Sequence, residues 1–130
     1  MDNTYTGYER RRFPRVEARF IVTFGVKKPV DVHLWIGNAN ASAMMLNLSE
    51  GGMAILTEND IPVSSIMSIN FTLINPYNSN EQLRPIGITG EVRNNSLTEK
   101  NEHRLGILFT RIAQEDRAAI ADFVKSEINQ

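Results

Sequence analysis

The chain contains no cysteine, so neither a disulfide framework nor a thiolate nucleophile is available to it. It has no apolar run near the roughly 18 residues that a membrane-spanning helix requires. The opening MDNTYTGYERRR has no apolar core of the kind a secretory signal carries. Net charge is also nearly missing, at −1 over 130 residues, which disfavours a general nucleic-acid binder with its broad basic face. These absences are expected of a cytoplasmic protein that does not insert in a membrane and binds neither DNA nor RNA. Its 130 residues suffice for a single domain held by its own core.

What charge there is lies unevenly. In ERRRFPRV, residues 9–16, Glu9 with Arg10, Arg11, Arg12 and Arg15 sum to +3, leaving −4 for the rest of the chain. A short cationic segment on a mildly acidic body suits a small anionic ligand better than a long polyanion. Taken alone, the arginine cluster reads more readily as a solvated charge run. Residues 1–9 are polar and are expected to be a flexible N-terminal segment, with a single domain over residues 10–128.

Downstream, short segments of β-branched and aromatic residues predict strands at 19–24, 30–36, 43–48, 53–57, 66–73, 86–92 and 105–109. The segment 66–73 alternates cleanly, with Met67, Ile69, Phe71 and Leu73 on one face and Ser68, Asn70 and Thr72 on the other. Ser49-Glu50-Gly51-Gly52 reads as a tight turn whose glycines permit positive φ. A polar turn is expected over 94–102. After Ala113 the period changes: Ile120, Phe123, Val124 and Ile128 fall at helical spacing, with Glu115 and Asp116 in the first turn. The expected fold is mainly β, a small antiparallel barrel of six to seven strands with a C-terminal α-helix that buries its Phe123 stripe. Met44, Met45 and Met53 are expected in the core and Trp35 at the surface.

No set of catalytic residues emerges. There is no nucleophile elbow, no P-loop and no carboxylate pair on a regular element, and His33 and His103 lack metal-ligand spacing. The expectation is a binding protein with no metal and no cofactor.

Two motifs remain: Arg11-Arg12-Phe13-Pro14-Arg15, an Arg-x-x-x-Arg before the first strand, and Asn47-Leu48-Ser49-Glu50-Gly51-Gly52, an Asn-x-Ser-x-x-Gly at a turn between strands. In this order and about 30 residues apart, they resemble the signature of the PilZ domain family. Gly87–Val92, Leu105–Phe109 and the closing helix extend the resemblance over roughly residues 9–126. The resemblance implies a β-barrel with a C-terminal helix, and binding of cyclic di-GMP rather than catalysis. It assigns Arg11 and Arg15 to guanine edges, stacking and phosphates. It also assigns Asn47 to guanine N–H groups or turn organisation, Ser49 to a phosphate or the neighbouring backbone, and Gly52 to close ligand approach. Arg10, next to the motif, could stack on a second ligand molecule. The segment 26–42 is longer than the simple hairpin the family pattern leads one to expect.

The chemistry suits these roles. The planar guanidinium meets the guanine O6/N7 edge bidentately, pairs with phosphate oxygens and stacks on purines. Pro14 fixes its own φ and biases Phe13 to extended backbone. The resulting expectation is a stand-alone cyclic di-GMP receptor that changes conformation on binding and signals to an unidentified protein partner. The alternatives are a PilZ-like adaptor that binds only protein and, less favoured, a nucleic-acid binder with a basic N-terminal arm.

Overall fold

In the computed structural model, which describes residues 13–32, 41–77 and 83–130, seven strands precede one helix. The strands are β1 (Val16–Glu17), β2 (Ile21–Lys28), β3 (Ala41–Ser49), β4 (Gly52–Thr57), β5 (Ile66–Leu73), β6 (Arg84–Leu97) and β7 (His103–Ile112), and the helix is α1 (Gln114–Ile128). All pairings are antiparallel, in the order β1-β3-β2-β5-β6-β7-β4. Pairing of β4 with β3 closes six strands into a barrel, and β1 is the extra strand. Because β4 occupies one edge of β3, β1 and β2 share the other. β2 takes the Ala41–Met44 end, and β1 pairs at Asn47 and Leu48.

Alternation decides what faces inward. Met67, Ile69, Phe71 and Leu73 on β5 are all buried, as their period-two spacing predicts. They meet Val22, Phe24 and Val26 of β2, Met45 and Leu48 of β3, Met53 and Ile55 of β4, and Leu105 and Ile107 of β7 in one core. Met44 is a correction to the sequence reading: it points outward, 36% exposed, because its neighbour Met45 takes the inward position. The expected strand at 30–36 is another. Residues 30–32 adopt helical backbone, and 33–36, with Trp35, lie outside the described residues. The β6–β7 hairpin also runs further than expected, with Asn94–Leu97 still paired to β7 and the turn confined to 98–102.

The helix covers the barrel with Ile120, Phe123 and Val124 buried. Phe20, between β1 and β2, joins the layers: its ring lies 5.8 Å from Phe71 of the barrel and 5.6 Å from Phe123 of α1, within aromatic contact range. Burying a side chain such as Phe123 stabilises this docking by roughly 1.5–3 kcal/mol. The first turn of α1 is fixed separately. Arg84 of β6 donates through Nε and a terminal nitrogen to Asp116 Oδ1, at 3.1 and 2.9 Å. Among the described residues no helix is long and apolar enough to cross a membrane.

Candidate functional site

The two motifs meet because of one strand register. Val16 pairs with Leu48 and Glu17 with Asn47. In an antiparallel pair each step back along one strand is a step forward along the other. Continuing that register past β1 sets Arg15 against Ser49 and Phe13 against Gly51. The second juxtaposition is visible in the side chains. A Cβ built on Gly51 would stand 2.8 Å from Phe13 Cδ2. The segment entering the barrel therefore lies along the β3–β4 turn.

That turn is shaped by Ser49. Its hydroxyl is buried and accepts from the N–H groups of Gly51 and Gly52, at 3.2 and 3.1 Å. It donates in turn to the Gly52 carbonyl oxygen, at 3.3 Å. Of the two roles expected for Ser49, the structure displays the backbone one. The turn is also tied to β7, where the Phe109 N–H donates to the Gly51 carbonyl at 2.9 Å.

The glycines are needed for space and not for a left-handed backbone, since neither Gly51 nor Gly52 has a φ in the positive range. A Cβ on Gly52 would collide with the Ile107 carbonyl oxygen of β7. The space next to Gly52 is thus filled by protein. On that side the glycine is required by the close approach of β4 and β7. Gly51 makes room for Phe13, which is half-buried against the turn.

A groove of about 460 Å³ opens beside this corner. Phe13, Arg15, Ser49, Gly51 and Gly52 line one side, and the floor passes over Ile107, Leu108 and Phe109 of β7. Leu108 is 42% exposed, an apolar surface open to a flat ligand face. Of the expected site residues, Arg15, Ser49 and Gly52 are gathered here. Asn47 sits close by on β3 without lining the groove, and Arg10 and Arg11 lie outside the described residues. Asn47 follows a bulge at Leu46, where the β3–β4 register shifts. Its Oδ1 is buried and accepts no hydrogen bond among the described residues. A buried amide oxygen left this way is an acceptor with unused capacity.

The far side of the groove carries residues that the sequence did not single out: Arg93 and Asn94 of β6, Gly106 of β7 and Arg117 of α1. Asn94 lies against Gly106 in the place a Cβ would occupy. Arg93 is the unpaired residue of a bulge, because Val92 pairs with Ile107 and Asn94 with Gly106. No Asp or Glu is among the described lining residues, which include the three arginines Arg15, Arg93 and Arg117. Among the described residues there is no cluster of three or more potential metal ligands.

The structure resembles three solved proteins. The first is the Bacillus subtilis inhibitor of motility MotI/DgrA, with a TM-score of 0.72, 18% identity and coverage of 93% of this chain and 53% of that one. The second is the PilZ domain of Escherichia coli YcgR with c-di-GMP, with a TM-score of 0.61, 17% identity and coverage of 92% of each. The third is the K. pneumonia MrkH–c-di-GMP complex, with a TM-score of 0.63, 17% identity and coverage of 92% of this chain and 52% of that one. The chain spans about half the length of MotI/DgrA and of MrkH. No curated protein shows significant sequence similarity to it. The model of the PilZ domain matches residues 9–126, nearly the whole of the barrel and helix just described, and the chain belongs to the PilZ domain family.

Proposed function

We propose that the protein is a cytoplasmic receptor for cyclic di-GMP that signals by contact with a protein partner and carries out no catalysis. The observation that carries this reading is the β1–β3 register, which sets Arg15 and Phe13 along the Ser49–Gly52 turn at the edge of a groove with no acidic residue among its described lining. Cyclic di-GMP presents two purine faces and two phosphodiesters. The groove offers an apolar floor at Leu108, an aromatic edge at Phe13 and guanidinium groups for phosphates and guanine edges. YcgR and MrkH, which share the fold, are both known with c-di-GMP bound.

In this reading Arg11 and Arg15 hold guanine O6/N7 and phosphate oxygens, and Asn47 Oδ1 accepts a guanine N–H. Ser49 acts through the turn, keeping the groove edge in shape, and Arg10 stacks on the outer purine face. The domain is taken as residues 10–128. Ligand bridges the arginine segment and the barrel and favours a clamped conformation, and that shift passes to the partner. It is driven only by the extra affinity of the closed state for the ligand. Isothermal titration with cyclic di-GMP, with GTP and cyclic di-AMP as controls, tests the assignment. Saturable binding of cyclic di-GMP alone supports it, and absence of binding rejects it in favour of a protein-only adaptor.

A further inference from the structure

We propose that Arg93 and Arg117 form a second anion-holding wall, gripping a phosphodiester of the bound dinucleotide from the body of the barrel. The inference rests on the cyclic di-GMP reading of the groove and assigns it two residues outside both sequence motifs.

Strand order defines where this wall stands. From the turn that ends β3, the groove crosses β4 and β7 to reach β6, so Arg93 lies two strands beyond the Ser49–Gly52 corner. The backbone aims it there. As the extra residue of a bulge, Arg93 has no partner across the ladder, and bulges of this kind redirect side chains beside binding sites. Arg117 arrives from α1, whose first turn is pinned to β6 by the Arg84–Asp116 pair next to it in sequence. A fixed element thus presents this cation, and only its side chain has to be ordered when an anion binds.

The electrostatics point the same way. Arg19 pairs with Glu17 and Arg84 with Asp116. Neither Arg93 nor Arg117 makes a side-chain hydrogen bond or ion pair among the described residues. With no acidic residue among the described lining, their donors are available to an incoming oxyanion. Leu108 on the floor between the two walls leaves the purine face to apolar contact and the phosphate to the arginines.

Titration of cyclic di-GMP into the parent, R93Q, R117Q, R93K, R117K and R111Q proteins tests the wall. Charge-assisted hydrogen bonds of this kind are worth enough that each Gln variant should bind about tenfold to a hundredfold more weakly. The Lys variants keep a point charge suited to phosphate and should recover most of the affinity. R111Q removes an exposed arginine outside this groove and should bind as the parent does. A parent that binds while R93Q and R117Q match it overturns the second wall and leaves the receptor assignment standing. Lys variants as weak as the Gln variants, or an equal loss in R111Q, overturn the phosphate role. A parent that does not bind removes the receptor assignment together with the wall. Unchanged melting midpoints in the variants separate loss of contact from loss of fold.

Discussion

The Phe13 ring lies where a side chain on Gly51 would begin, 2.8 Å from the Cβ position that alanine would introduce. This contact joins the segment leading into the barrel to the turn between β3 and β4, and it makes Gly51 a determinant of where Arg15 stands. Gly51→Ala should push the ring aside and weaken cyclic di-GMP binding several-fold. Its cost to stability should stay near the ~0.5 kcal/mol of ordinary surface changes, because the obstacle is a side chain able to move. Adding Phe13→Ala to Gly51→Ala should not restore full affinity, since the ring itself lines the groove. Parallel titration and thermal melting of the two proteins check this.

Gly52 behaves differently because its neighbour is backbone. A Cβ there meets the Ile107 carbonyl of β7, and a strand in a closed barrel cannot retreat alone. Gly52→Ala should destabilise by about 1–3 kcal/mol as an overpacked site. Denaturant unfolding should show a lower midpoint with an unchanged slope.

Ser49→Ala leaves the Gly51 and Gly52 N–H groups without their side-chain acceptor. The expected loss is about 1–3 kcal/mol, the usual consequence of leaving buried polar groups unsatisfied. Affinity should fall as well, because the turn also holds Phe13. If affinity falls with no change in the unfolding midpoint, Ser49 touches the ligand directly and the backbone role is secondary.

Much of the barrel was legible in the sequence because one rule, alternation, governs it. Met67, Ile69, Phe71 and Leu73 could be placed inside from spacing alone. Ile120, Phe123 and Val124 were equally readable from helical spacing. The Arg15 and Ser49 motifs were readable as local patterns, and the register that unites them follows from β1 pairing on the free edge of β3. What escaped depends on contacts between strands remote in sequence. Nothing local to Gly52 reveals the Ile107 carbonyl, and nothing local to Arg93 reveals that β6 bulges there. Arg117 reads as an ordinary solvent-facing helix residue until the helix is docked. Met44 and Met45 are chemically identical, and only the register of β3 with β2 and β4 decides which faces in.

The central claim is that guanidinium groups meet purine edges and phosphates in the groove between Phe13 and Leu108. Titration of the parent and Arg15→Ala proteins with cyclic di-GMP and with cyclic di-AMP tests it most directly. The account predicts saturable binding of the guanine dinucleotide, rejection of the adenine one because adenine offers a donor where guanine offers O6, and a loss of about tenfold to a hundredfold or more in Arg15→Ala. Equal binding of the two dinucleotides, or undiminished affinity in a folded Arg15→Ala protein, would contradict it.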